Sequence, residues 1–272
     1  MTASILVNGE LSDVVPAGDR GLAYGDGVFE TLRFTAGQPH LWQGHMDRLQ
    51  RGCERLALPV PDQAQLLREA RTVATGERDC VVKIILTRGS GGRGYAPPST
   101  PQPNRVVSCH ALPSGLEDDA RRGVHGRLCE QRIALQPSLR GIKHLNRLEY
   151  VLAAAELAGE PGQVGIVRNT EDFVISSVHA NLFLVVNGQL LTPRMDRCGV
   201  HGVLRALLLR DFKNRLELRR VTLDLMAAAS EIFLVSSVRG VVPLRSLGDW
   251  HWDPGPVTRD MQQWHRELVQ SA

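Results

Sequence analysis

Arginine supplies all but three of the 32 basic residues, the exceptions being Lys83, Lys143 and Lys213. The scarcity matters because the two side chains do different chemistry. An arginine keeps its proton at any working pH, whereas a lysine in an apolar or cationic setting can lose it and act as nucleophile or base. Lys83 lies in the strand-like run Val81-Val82-Lys83-Ile84-Ile85 and Lys213 at a charged helix end, and both settings suit an ordinary solvated ammonium. Lys143 sits in Leu139-Arg140-Gly141-Ile142-Lys143-His144-Leu145-Asn146-Arg147-Leu148-Glu149-Tyr150, just ahead of a helix start signal. There Asn146 and Glu149 have the spacing of a capping pair and predict a helix over about residues 147–157. From these residues alone Lys143 is either a chemical centre or a loop lysine near the surface.

Arg48 is the second residue of interest. Met46, Leu49, Cys53 and Leu56 recur at helical spacing and make one apolar stripe, with Arg48 at its rim, either facing solvent or reaching into a cleft. Gly89, Gly91 and Gly94 satisfy the glycine pattern of a dinucleotide loop after a strand. That fingerprint needs a helix to begin at the loop, and Tyr95-Ala96-Pro97-Pro98-Ser99-Thr100-Pro101 cannot supply one. The loop is therefore a flexible rim, on which Arg93 and Tyr95 are available to a substrate. Cys53, Cys80, Cys109, Cys129 and Cys198 are odd in number and widely spaced, which indicates buried free thiols rather than disulfides or a metal site.

The elements that must position these residues fall in two groups. Residues 2–15 alternate about Asn8-Gly9 and predict a hairpin; the glycine-rich stretch 19–27 reads as a loop, and a second hairpin turns at Ala36-Gly37. Helices follow at about 46–56 and 62–75, then strands at 80–88 and 104–110. Residues 113–118 read as a linker between a smaller domain, 1–112, and a larger one, 119–272, that carries Lys143. In the second half, short strands are expected near 164–167, 173–177, 181–186 and 190–192, with a turn at Asn187-Gly188. Their short connections imply antiparallel or mixed pairing. A helix over about 200–212 has Gly199 and Gly202 at its start, where N–H groups make an anion site. A strand at 231–237 ends in Ser236-Ser237, and an amphipathic helix closes the chain at 257–269.

At 272 residues, 43% apolar and 22% charged, the composition is that of an ordinary globular protein. The amino terminus lacks a basic region with a long apolar run, and no segment approaches the roughly 18 apolar residues of a membrane span, so a cytoplasmic protein without a membrane partner is expected. A net charge of +3 spread over dispersed arginines argues against a nucleic-acid surface and for small anionic ligands carrying carboxylate or phosphate.

The Lys143 stretch resembles the "KHLNRL" segment of the fold type IV pyridoxal-phosphate enzymes, the 4-amino-4-deoxychorismate lyases in particular. Further blocks match in the same order: residues 19–31, His45-Met46-Asp47-Arg48-Leu49, residues 87–95, and Asn181-Leu182-Phe183 with Thr192-Pro193 and residues 198–202. The resemblance implies an α+β chain of two domains with mixed, largely antiparallel sheets, assembled as a homodimer. It implies pyridoxal 5'-phosphate as cofactor and no metal. Lys143 would bind the cofactor aldehyde and later move protons. Arg48, the amides of Val200 and His201, and Ser236 with Ser237 would hold its phosphate. Arg93, Tyr95 and Asn181 are candidates for a substrate bearing carboxylates. The activity implied is conversion of 4-amino-4-deoxychorismate to 4-aminobenzoate and pyruvate, a step of folate biosynthesis. The alternatives are a D-amino-acid or branched-chain aminotransferase, or a catalytically reduced binding homologue. One position departs from the pattern. Where the family places a glutamate against the pyridine nitrogen, this chain has Ser176, so that nitrogen stays neutral, or Glu171 or Asp172 reaches it from the preceding turn, or activity is lost.

Overall fold

Asn8 and Gly9 both take positive φ, 55° and 93°, as a tight two-residue hairpin turn requires, and they join β1 (Ile5–Val7) to β2 (Glu10–Leu11). The computed structural model describes residues 4–160 and 162–270, so the first residues of the expected hairpin, 2 and 3, lie outside the described residues. The stretch read as a glycine-rich loop contains a short helix, α1 (Arg20–Tyr24). Asp19 caps it, accepting from the Gly21 and Leu22 N–H groups, a signal that the surrounding glycines mask in sequence. Next come β3 (Gly27–Thr35), β4 (Gln38–Pro39), α2 (Trp42–Leu56), α3 (Gln63–Val73), β5 (Asp79–Thr87) and β6 (Arg105–Ala111). These strands form one sheet in the order β2-β1-β6-β5-β3-β4, antiparallel throughout. Val28, Leu32 and Phe34 share one face of β3 and pack with Met46, Leu49 and Cys53 of α2 in the core.

Contacts divide the chain into two units, Met1–Pro113 with Ile142–Asn146, and Ser114–Gly141 with Arg147–Ala272. Two expectations change. The segment read as a linker runs into a helix, α4 (Leu116–Arg122), whose first turn carries Glu117, Asp118 and Asp119. Lys143, expected in the second domain, groups with the first. The reason is main-chain pairing: Phe29 N–H donates to Lys143 O at 2.8 Å, Leu145 N–H donates to Gly27 O at 3.0 Å, and Val28 bridges His144. Residues 142–146 thus extend the first sheet along β3. Gly27 permits the approach, since a Cβ there would lie 2.8 Å from Leu145 Cδ1 and 2.3 Å from Leu86 O.

The second unit continues with β7 (Val124–Ile133), α5 (Leu148–Ala155), β8 (Gln163–Asn169), β9 (Val174–Ser177), β10 (Asn181–Val186), β11 (Gln189–Pro193), α6 (Val203–Asp211), β12 (Leu216–Arg219), α7 (Leu223–Ala227), β13 (Glu231–Ser236), β14 (Gly240–Leu247), β15 (Trp250–His251) and α8 (Pro256–Gln270). The sheet order is β12-β11-β10-β13-β14-β7-β8-β9, with β15 on β14 and an added pairing of β9 to β10. That pairing, Ser176 opposite Asn181, closes β10, β13, β14, β7, β8 and β9 into a ring. The sheet is mixed: β7 runs parallel to β8 and β14, and β11 parallel to β12. The predicted capping pair does something else. Asn146 donates to Gly25 O at 2.9 Å and Glu149 accepts from Ala134 N–H at 2.8 Å, so α5 starts at Leu148 without a side-chain cap. All five cysteines are free and buried. Among the described residues no helix is long and apolar enough to cross a membrane.

Candidate active site

Alternation along β3 sends Phe29 and Glu30 to opposite faces. On the Phe29 face, Lys143 Nζ lies 4.3 Å from the ring centroid and Lys83 Nζ 5.4 Å from it. Lys83 had read as an ordinary ammonium, yet two of the chain's three lysines meet at one aromatic ring. An ammonium over a ring face is held by the ring quadrupole, so Phe29 orients Lys143 while Lys83 adds a second positive charge to the same surface.

On the opposite face Glu30 is fully buried. Arg48 donates to it twice, from Nε to Oε1 at 2.8 Å and from Nη2 to Oε2 at 2.5 Å, and His45 Nδ1 lies 2.7 Å from Oε2. Arg48 is therefore 6% exposed and paired, instead of facing solvent at a rim. Burial alone would raise the Glu30 carboxyl, but the charge and hydrogen bonds of Arg48, and then those of His45, bring it down to about 2. His45 is pushed below its ordinary value, chiefly by burial, with Arg48 and Lys143 acting in the same direction against the pull of Glu30. Its neutral ring donates from Nδ1, and Nε2 has no hydrogen-bond partner among the described residues. Sequence reading gave Glu30 and His45 no role. A signal was present, because Glu30 falls in phase with Val28, Leu32 and Phe34 where an apolar residue belongs.

A second charge cluster holds the rim loop. Arg20, almost fully buried, donates to Asp26 and to the carbonyls of Gly91, Gly94, Tyr95 and Ala96. Arg88 grips Asp26 with Nε at 2.7 Å and Nη2 at 3.0 Å. Burial would raise Asp26, but hydrogen bonds from Arg88 and Arg20 keep it below the ordinary carboxylate range. The loop is thereby pinned through its backbone while its side chains stay outside. Tyr95 is 88% exposed, 5.5 Å from the Tyr24 ring, and Arg93 is exposed beside it.

In the second unit, Ser176 is buried on β9 and shares a hydrogen bond with Tyr150, a residue of α5 that the sequence reading passed over. Burial raises the Tyr150 phenol, with Arg147 and Ser176 opposing. Glu171 and Asp172 do not reach this position. Both lie on the turn between β8 and β9, Glu171 paired with Arg197 at 2.5 Å and Asp172 with Arg132 and Arg168 at 3.0 and 3.2 Å. Both carboxylates are thus engaged on the turn by arginines, away from Ser176 on β9.

The helix expected from residue 200 begins at Val203 with Gly202 as its cap. Asn181 is the clamp of this turn: its Oδ1 accepts from Gly202 N–H at 2.9 Å and its Nδ2 donates to Val200 O at 3.0 Å. Both ends of that amide are committed, which removes Asn181 from the substrate candidates. The His201 N–H donates to Gly141 O at 3.1 Å, so of the two amides expected to hold an anion only that of Val200 stays a candidate. The His201 ring lies against Gly141 and has Nε2 2.9 Å from Met195 O. Ser236 and Ser237 stand at the end of β13, with Ser236 Oγ accepting from Arg239 N–H at 3.1 Å.

Residues 27–247 match the amino-transferase class IV family. The chain belongs to that family. It is 34% identical over 244 residues to an aminodeoxychorismate lyase of Vibrio harveyi, a match covering 89% of this chain and 90% of that protein. The crystal structure of 4-amino-4-deoxychorismate lyase from Pseudomonas aeruginosa superimposes with a TM-score of 0.91 at 42% identity, covering 97% and 98% of the two chains. The Escherichia coli branched-chain amino acid aminotransferase shares the fold, with a TM-score of 0.86 at 22% identity over 98% and 94%. The class IV chain thus has the α+β, fold type IV architecture that its motifs imply.

The Glu30 cluster carries a signed pH dependence. A carboxyl whose pKa is lower folded than unfolded stabilises the fold above its ordinary value of 4.5, and that contribution is lost as pH falls from 4.5 to about 2. The shift corresponds to about 3 kcal/mol. Urea midpoints measured across this range should fall in the wild type. Glu30→Gln should start lower and fall by less, because it has nothing to titrate.

Proposed function

We propose that the protein is a lyase that uses pyridoxal 5'-phosphate to convert 4-amino-4-deoxychorismate into 4-aminobenzoate and pyruvate. The reading is carried by likeness over nearly the whole chain to two proteins named for that activity, at 34% and 42% identity, against 22% for the aminotransferase of the same fold. Each unit offers donors of the kind the cofactor needs: in the first, an amine beside an aromatic ring at Lys143 and a buried guanidinium at Arg48, and in the second, hydroxyls at Ser236 and Ser237. The resemblance implies phosphate ligands in each unit, Arg48 in the first and the Val200 amide with the two serines in the second.

When bound, the cofactor supplies an aldehyde that takes up the substrate amine and a ring that makes the neighbouring carbon acidic. Lys143 Nζ removes the proton from the carbon bearing that amine. The C–O bond at the adjacent carbon breaks, the three-carbon fragment leaves as enolpyruvate and takes up a proton to become pyruvate, and aromatisation makes the loss irreversible. Lys83, on the Phe29 face, and Arg93, on the pinned loop, are the cations suited to the substrate's two carboxylates. The assay is formation of 4-aminobenzoate and pyruvate in equal amounts without a keto-acid acceptor; activity only with an amino donor and a keto acid would make the protein an aminotransferase instead. Borohydride treatment of the loaded protein, followed by peptide mapping, should tag Lys143. Lys83 is the rival on the same ring, and a tag there would overturn the assignment.

Ser176 occupies the place of the family's ring-nitrogen carboxylate. A hydroxyl shared with Tyr150 brings no negative charge, so it would leave the ring nitrogen of a bound cofactor neutral and its electron sink weaker. That weakness harms transamination more than elimination, since departure of pyruvate gives the electrons another outlet. Ser176→Glu should raise the transaminase-to-lyase ratio in a variant whose melting is unchanged; an unaltered ratio would remove Ser176 from the cofactor site.

We also propose a cytoplasmic homodimer. Leu148, Val151 and Leu152, at helical spacing on α5, are 69%, 58% and 49% exposed, an apolar stripe of the kind that a second copy covers. Light scattering at micromolar concentration should give twice the chain mass, and a fully active monomer would exclude this assembly.

A further inference from the structure

We propose that Glu30 and His45 are positioning residues for the cofactor phosphate, acting by fixing the plane in which Arg48 presents its guanidinium. The inference rests on the reading of Arg48 as a phosphate ligand and goes beyond it.

Arg48 meets Glu30 through the Nε and Nη2 edge, by two hydrogen bonds to two different carboxylate oxygens. A forked pair of this kind stops the guanidinium from turning about its own axis. The plane of the guanidinium is therefore set before any anion arrives. The carboxylate is held in turn: Oε2 also takes the His45 Nδ1 hydrogen bond at 2.7 Å, on a side chain with no exposed surface. His45 and Arg48 are three residues apart on α2 and so lie on one face of it, while Glu30 comes from β3, the strand that also pairs with Lys143. One strand thus sets the guanidinium on one face and the lysine on the other. The His45 ring leaves Nε2 buried without a hydrogen-bond partner among the described residues, a cost that an apolar side chain would avoid. Its Nδ1 bond to Glu30 is what the buried imidazole provides in exchange.

Charge and position predict opposite signs. Glu30 is an anion within two bonds' reach of a phosphate ligand, so on charge alone its removal should tighten phosphate binding. If its part is to hold Arg48 in place, removal should weaken binding.

The experiment titrates the full-length apoprotein with pyridoxal 5'-phosphate and with pyridoxal, following absorbance, and takes the ratio of the two affinities as the measure of phosphate grip. Arg48→Ala should lower that ratio by about 10- to 100-fold. Glu30→Gln should lower it by about 5-fold or more, and should add little to Arg48→Ala in the double variant, as expected of residues acting as one unit. His45→Ala should lower the ratio as well, and His45→Asn, which keeps an N–H donor near the Nδ1 position, should recover it. A merely structural role would lower the melting temperature of these variants and leave the ratio alone. Should Glu30→Gln not fold, the His45 pair decides the matter. A ratio that falls in Arg48→Ala but is unchanged or raised in Glu30→Gln and unchanged in His45→Ala would overturn the positioning role while sparing Arg48 as ligand. An unchanged ratio in Arg48→Ala would overturn both.

Discussion

Strand alternation on β3 is the constraint from which the first unit's chemistry follows. Successive side chains must point to opposite faces, so Phe29 and Glu30 cannot serve the same surface. Phe29 goes to the face where Lys143 and Lys83 meet its ring, and Glu30 goes to the core, where a carboxylate survives only if cations or donors come to it. Arg48 and His45 do so from α2. The lysine is fixed to the same strand by main-chain hydrogen bonds, a firmer mounting than a helix end or a free loop would give. β3 is thus the common support of both groups, Arg48 through the Glu30 carboxylate and Lys143 through main-chain hydrogen bonds.

Much of this was legible in the chain, and the limits have physical causes. Helices α2, α3 and α8 announce themselves by period, and the tight turns at Asn8-Gly9 and Asn187-Gly188 by residue type. Strand β7 went unread because its ten residues, Val124 to Ile133, include only three that are buried, and His, Arg and Glu conceal the alternation. The Asn146 and Glu149 pair has the spacing of a cap, yet both side chains serve distant backbone groups at Gly25 and Ala134. Local spacing cannot distinguish a cap from a tertiary contact that uses the same atoms.

At the site, scarcity pointed to Lys143, because a rare residue type stands out against a background of arginine. The same logic overlooked Lys83, whose strand setting hid the fact that it shares a ring with Lys143. Glu30, His45 and Tyr150 needed three dimensions. Each gains its meaning from a partner fifteen or more residues away, at Arg48, Glu30 and Ser176. Asn181 shows the reverse: a polar residue in a matching motif whose two amide atoms are fully occupied in holding the turn before α6.

The ring in the second unit closes where Ser176 stands opposite Asn181, and that closure is made by backbone atoms. A ladder does not read the side chains it passes. The architecture therefore places little demand on what residue 176 is, provided it is small enough for its buried surroundings. A change of side chain at position 176 leaves the ring closed, whereas a change at Asn181 would unfasten the turn before α6. Two residues that face each other across one pair of strands thus contribute unequally to the shape, Ser176 through its backbone and Asn181 through its side chain as well.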